Sequence, residues 1–276
     1  MHERLTTAIG AVTPLTWQCM NPVVFRWARP PTDDRDVLRP MDGLRISALS
    51  PQEDEFAMLG LGLRSAYRAF LMPHRIRELQ DTLEADSWSL SAAWHPGWLA
   101  FLAHVYASAG RPGAPLLLKS PNHTFRLPAI LELFPGARVI WMVRPAREVL
   151  ESNLKMWNSM FATHGLTSAR DEAGLPAFLQ AMFQEAARVM EWCASTLPRG
   201  RFMMVAQRDL GGRPEPTINQ VLRRLHLQEM NGGAGEVTGR APPTPPLLTQ
   251  EPFGKAADSV CRAYDTLQFR LLQAWG

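Results

Sequence analysis

Three short apolar segments, residues 115–118, 137–143 and 201–205, constrain the fold of this chain more than any other feature. Each is bounded by Pro, Gly or charged residues and is almost continuously apolar, the pattern of a strand buried on both faces. Helical patterns lie between them. Residues 124–134 set Phe125, Leu127, Ile130, Leu131 and Phe134 at helical spacing, 146–157 follow the second strand, and 173–197 lead into the third. Strands alternating with helices predict an α/β fold, a parallel sheet flanked by helices. The stretch 120–136 is long enough for a helical crossover, which should be right-handed.

Ahead of the first strand the chain reads as mostly helical. Ser50-Pro51-Gln52-Glu53 has the form of a helix start, with a Ser cap, Pro in the first position and Glu in the third. Residues 231–254 are dense in Gly and Pro and read as a loop or lid, and 256–274 as a closing helix. The 276 residues contain no internal repeat. At about 150 residues per domain as a soft guide, a single domain over 1–276 is expected.

With 46% hydrophobic residues the chain can bury a real core, which excludes general disorder. No apolar run approaches the roughly 18 residues of a membrane span. The most apolar region, 88–105, is broken by Ser89, Ser91, His95, Pro96 and His104. Met1-His2-Glu3-Arg4 carries mixed charge and does not open a secretory signal. The 29 basic and 26 acidic residues leave +3, without a Lys/Arg block, so nucleic acid is not an expected partner. A modest excess of Arg over Lys suits a small anionic ligand, because the guanidinium fork matches phosphate geometry. Cys19, Cys193 and Cys261 are odd in number, far apart and without a C-x-x-C pair. They read as reduced thiols in a cytoplasm and exclude a disulfide framework or a cysteine zinc site. His74, His95, His104, His164 and His226 show no metal-ligand spacing, and no metal is expected.

In an open parallel sheet, ligands bind at the carboxyl ends of the strands. The first strand finishes in Lys119-Ser120-Pro121-Asn122-His123 and the second in Arg144-Pro145-Ala146-Arg147. If the two strands are neighbours, Lys119, His123 and Arg144 converge on one crevice beside two helix N-termini. Free N–H groups and a partial positive charge there favour an anion.

Three ordered pieces resemble a known family: Leu117-Leu118-Lys119-Ser120-Pro121-Asn122-His123, Leu133-Phe134-Pro135-Gly136-Ala137-Arg138-Val139, and Arg144-Pro145 with Ser152 eight residues after the arginine. The set is similar to the sulfotransferase family, specifically to bacterial members that share a K-S-P-x-H segment. Pro14-Leu15-Thr16-Trp17-Gln18-Cys19-Met20-Asn21-Pro22 and Ser50-Pro51-Gln52-Glu53-Asp54-Glu55 look like further segments of the group, so the resemblance runs from about Pro14 to Leu227. It implies a P-loop-NTPase-like parallel sheet. It also implies transfer of a sulfuryl group from 3'-phosphoadenosine 5'-phosphosulfate to a hydroxyl or amine of a small-molecule or glycan acceptor.

By the same resemblance, Arg144 and Ser152 hold the 3'-phosphate of the donor, with Lys119 and Ser120 also on the donor side. Charge-assisted bonds of that kind are each worth roughly 1.5–3 kcal/mol. Lys119 would steady the bridging oxygen as charge develops on the leaving phosphate. Each residue has a plainer reading beside this one. Arg144 could pair with an acidic neighbour, Ser152 could lie on a helix surface, and Lys119 could be a snorkelling strand-end lysine. His123, in the first turn of a helix whose dipole disfavours the protonated ring, is one candidate general base; alternatively it caps or packs locally. Glu53 and Glu55 compete with it, since a carboxylate in a partly buried cleft can be raised into a useful range. Acidic residues in a first helical turn are equally expected as capping partners.

Two features depart from the family pattern. The family opens with a strand and a Gly/Ser/Thr-rich loop that wraps the 5'-phosphosulfate with backbone N–H groups. Here only Thr6-Thr7-Ala8-Ile9-Gly10 stands before Pro14, so the chain reads as N-terminally shortened. Relatives also tend to have Tyr-Glu-Asp-Leu where this chain has Gln207-Arg208-Asp209-Leu210. The alternative to an active enzyme is therefore a nucleotide-binding relative with impaired transfer. A P-loop kinase needs G-x-x-x-x-G-K-[ST], and Gly254-Lys255 lacks the earlier glycine; a G-x-S-x-G elbow is also absent. The loops at 158–174 and near Pro242 are expected to shape the acceptor site.

Overall fold

A computed structural model describes residues 1–32, 35–39, 43–83, 94–169, 171, 173–211, 214–227 and 255–275. In chain order its helices and strands begin with α1 (His2–Ala8), α2 (Thr16–Met20), β1 (Val37–Leu38), β2 (Arg45–Ile46), α3 (Glu55–Gly60) and α4 (Trp94–Ala109). They continue with α5 (Leu127–Leu133), β3 (Val139–Val143), α6 (Ala146–His164), α7 (Gly174–Thr196), β4 (Phe202–Ala206), α8 (Glu215–Arg224) and α9 (Lys255–Trp275). Single 3-10 turns occupy Ala66–Phe70, Pro121–Arg126 and Gln207–Leu210. The predicted lid at 231–254 lies outside the described residues.

β3 and β4 pair in parallel from Val139↔Phe202 to Val143↔Ala206, and all five residues of β4 are buried. Alternation across the sheet assigns the side chains to two layers. Trp141, Val143, Phe202 and Met204 pack on Val189, Met190 and Cys193 of α7, with Leu267 and Leu271 of α9 beside them. On the other face Met203 and Val205 pack on Leu5 of α1 and on Val221 of α8, with Ile140 and Leu117 alongside. Helices thus cover both faces, as alternating strands and helices predict. Each large side chain buried this way is worth roughly 1.5–3 kcal/mol.

Several boundaries differ from the sequence expectation. Residues 115–118 do not form a strand; Leu116 makes one parallel bridge to Val12, through Val12 N–H to Pro115 C=O and Leu117 N–H to Val12 C=O, both 2.8 Å. The next rung of a parallel ladder would need an N–H from residue 14, which is Pro14. The helix expected at 124–134 is split into a 3-10 turn and α5. The break falls at Arg126 (φ −113°, ψ 1°), with Pro at the start of the second piece. α6 runs on to His164, so much of the loop expected at 158–174 is helix.

The capped helix start at Ser50 is also absent. Ser50 C=O accepts from Thr16 N–H, Gln52 N–H donates to Pro14 C=O, and Pro51 bridges Leu15. With its backbone tied to 14–16, this segment cannot turn helical until Glu55. The hairpin of β1 and β2 was not foreseen. Among the described residues no helix is long and apolar enough to cross a membrane.

Candidate active site

Three consecutive acids, Glu53, Asp54 and Glu55, meet three cations or proton carriers spaced four and three residues apart, Lys119, His123 and Arg126. Lys119 Nζ pairs with Glu53. His123 Nε2 lies 3.0 Å from Asp54 Oδ2 and 2.9 Å from Oδ1. Arg126 Nη2 reaches Glu55 Oε1 at 2.8 Å and Oε2 at 2.6 Å. Burial deepens along the series: side-chain exposure is 50% for Lys119, 11% for Glu53 and His123, and 0% for Asp54, Glu55 and Arg126.

Local backbone explains why the residues face this way. Pairing of 50–52 with 14–16 brings 53–55 off an extended segment, so their side chains turn toward the 119–126 segment rather than capping a helix. Ser120 caps the 3-10 turn, its hydroxyl accepting the Asn122 N–H at 3.2 Å, and that turn presents His123 and Arg126.

Each pair has a different chemistry. Arg126 also lies over the Trp94 ring at 4.5 Å, so Glu55 and Arg126 form a closed interior clamp. Asp54 accepts the Trp98 indole N–H at 2.6 Å. Burial alone would push the Asp54 carboxyl up; His123, Trp98 and Arg126 together overturn that and hold it below the usual carboxylate range. The His123 ring faces this carboxylate from the 3-10 turn at Pro121–Arg126. Its other nitrogen, Nδ1, is enclosed and has no hydrogen-bond partner among the described residues.

Glu53 is the carboxylate nearest the surface. Its Oε2 accepts the Tyr67 hydroxyl at 2.7 Å, while Oε1 pairs with Lys119. Burial, then the neighbouring Glu53 charge, push the Tyr67 phenol well above its ordinary range, so it stays a donor. His2 completes this end of the site, with Nε2 2.8 Å from the Thr13 hydroxyl. Burial, then the Lys119 charge, lower the His2 ring to about 4, which keeps it neutral.

Arg144 and Ser152 belong to the turn and helix after β3. Arg144 directly follows β3, its Nε 3.2 Å from Glu148, one turn along on α6. Ser152 is half-buried, two turns into α6. Among the described residues no hydrogen bond or ion pair joins either one to Lys119, Glu53 or His123. The turn at 144–146 is held by α9, where Gln268 donates to Arg144 C=O at 2.8 Å and Asp265 accepts the Ala146 N–H at 2.9 Å. At each N-terminus expected to grip an anion, one N–H is taken by the chain's own side chains, Ala146 N–H by Asp265 at α6 and Asn122 N–H by Ser120 at the 3-10 turn.

Sequence reasoning did not single out Asp54, Tyr67, Trp98, Arg126 or His2 for roles. The available signal was the helical spacing of Lys119, His123 and Arg126 set against three acids in a row. A separate cavity of about 580 Å³, lined by Arg199, Phe202, Arg224 and Trp275 among others, opens at the amino end of β4. That is the wrong end for a sheet ligand.

The family model described as the sulfotransferase family matches residues 14–231. Two curated relatives, both omega-hydroxy-beta-dihydromenaquinone-9 sulfotransferase Stf3, come from Mycobacterium bovis and Mycobacterium tuberculosis. Each is 27% identical over 233 residues, covering 82% of this chain. The chain spans 59% of the length of these relatives. No solved structure matches the chain.

Proposed function

Since the chain belongs to the sulfotransferase family, we propose that it transfers a sulfuryl group from 3'-phosphoadenosine 5'-phosphosulfate to the hydroxyl of a small molecule. The observation that carries this reading is the Lys119–Glu53 pair, a half-exposed cation beside the most accessible carboxylate of the site. Glu53 takes the acceptor proton. Glu55 is locked on Arg126 and fully buried; His123 is as exposed as Glu53, but its ring nitrogens are turned inward, Nε2 to Asp54 and Nδ1 enclosed.

When bound, the donor supplies the sulfuryl group on a good phosphate leaving group. The acceptor oxygen forms its bond to sulfur as the sulfur–oxygen bond to phosphate breaks. The electron pair leaves on that phosphate, facing Lys119, and the hydroxyl proton passes to Glu53. Arg144 and Ser152 are assigned to the 3'-phosphate. Arg144 needs only to leave a partly exposed i,i+4 pair with Glu148, the kind worth about 0.3–0.5 kcal/mol.

The relatives' named acceptor is a hydroxylated dihydromenaquinone, which makes a hydroxyl on an apolar carrier the acceptor class to try first. Three buried free cysteines support a reducing compartment, the cytoplasm. The test is donor-dependent sulfation of such hydroxyl compounds by the wild type, Glu53→Gln and His123→Gln. We expect Glu53→Gln to lower kcat by about 10²–10⁴ and His123→Gln to act mainly on stability. Collapse of turnover only in His123→Gln would move the base to His123.

A further inference from the structure

Resting on that reading, we propose that Tyr67 is the positioning residue that holds Glu53 when Lys119 turns from Glu53 to the donor's 5'-phosphate. Glu53 has two anchors on opposite oxygens, the Lys119 ammonium on Oε1 and the Tyr67 hydroxyl on Oε2. The two differ in freedom. Lys119 is half-exposed on a flexible stem, whereas Tyr67 is buried, stacked on Phe70 at 4.7 Å and tilted against Phe56 at 5.2 Å.

A carboxylate paired with an ammonium is a poor proton acceptor, because protonation forfeits the attraction. Lys119 cannot serve Glu53 and a phosphate oxygen equally well at once. Donor binding therefore draws the cation away and leaves Glu53 on the fixed Tyr67 hydroxyl, still placed and now free to take a proton. His2 does not substitute as the cation, because its ring is neutral and bonded to Thr13. The exchange makes acceptance of the proton follow occupation of the donor site.

The proposal gives two substitutions opposite signs on nucleotide affinity. Glu53→Gln releases Lys119 in the free protein and should tighten 3'-phosphoadenosine 5'-phosphate roughly 3–10-fold, the range between an exposed pair and a charge-assisted bond. Tyr67→Phe leaves Glu53 without an anchor in the bound state and should weaken the same ligand by a similar factor. Adenosine 3'-phosphate, which lacks the 5'-phosphate, should be indifferent to both. Isothermal calorimetry on the full chain reads all of this. Unchanged or tighter binding in Tyr67→Phe overturns the proposal, as do equal shifts for the two nucleotides. If Glu53→Gln does not fold, Tyr67→Phe decides alone. A wild type that binds neither nucleotide removes the donor reading, and the proposal with it. A wild type that binds while Tyr67→Phe is silent removes the proposal only.

Discussion

One guanidinium nitrogen of Arg126 reaches both oxygens of Glu55, at 2.8 and 2.6 Å, with neither side chain exposed. Such a pair gains little over an apolar replacement of the same shape, yet losing one partner strands the other charge. Its place beside Asp54–His123 and Glu53–Lys119 makes it the fixed end of the site.

Arg126→Met should therefore lower unfolding stability by about 3–5 kcal/mol. The measurement is the urea midpoint at constant m-value. Adding Glu55→Gln to it should restore part of the loss, because the stranded carboxylate is gone. A single substitution costing under about 1 kcal/mol, the size of an exposed pair, would refute the interior clamp.

Arg144→Ala should weaken 3'-phosphoadenosine 5'-phosphate by roughly 10–100-fold, the cost of a lost charge-assisted bond. Binding of adenosine 5'-phosphate should hardly change. Calorimetry that finds equal losses for both would free Arg144 from any duty to the 3'-phosphate.

His2 predicts an acid-side loss of stability. The unfolded chain takes up a proton on this ring near pH 6.5, while the folded chain refuses it until about 4, because burial and Lys119 oppose the charge. The stabilisation is complete above pH 6.5 and falls away as the pH drops toward 4. The slope is about 1.4 kcal/mol per pH unit. His2→Asn should flatten chemical-denaturation stability across that window. The same slope in wild type and variant would mean that the ring titrates normally.

The thiols should be silent in the native protein. Cys19, Cys193 and Cys261 are exposed by 1%, 0% and 5%, and burial pushes Cys193 up to about 12 and the other two in the same direction. Iodoacetamide at pH 8 should leave all three unmodified until urea unfolds the chain, as read by mass spectrometry. Native modification of any one would show an open path to it.

The strands at 139–143 and 202–206 were legible to within two residues, since burial on both faces leaves an uninterrupted apolar run. Residues 115–118 carry the same run but, among the described residues, bridge through their backbone only to Val12, whose ladder stops at Pro14; a strand needs a partner as well as a pattern. Lys119 and Glu53 stood out one at a time, from the residues around them. Their pairing did not, because contacts across such separations leave no periodic trace. Asp54 was hidden for a simpler reason: an aspartate between two glutamates looks like a helix start unless the backbone before it is known to be engaged by Pro14 and Thr16. Ser152 and Arg144 lie in the order foreseen, while the grip of Gln268 and Asp265 on that turn comes from the far end of the chain, where sequence periodicity says only that a helix exists.

The contacts of the three carboxylates with Lys119, His123 and Arg126 span 66, 69 and 71 residues. Closing loops that long costs entropy before any contact returns it. A growing polypeptide on the ribosome therefore lacks the complete set until its 126th residue has emerged. The three contacts can exist together only once a little under half of the 276 residues has been made.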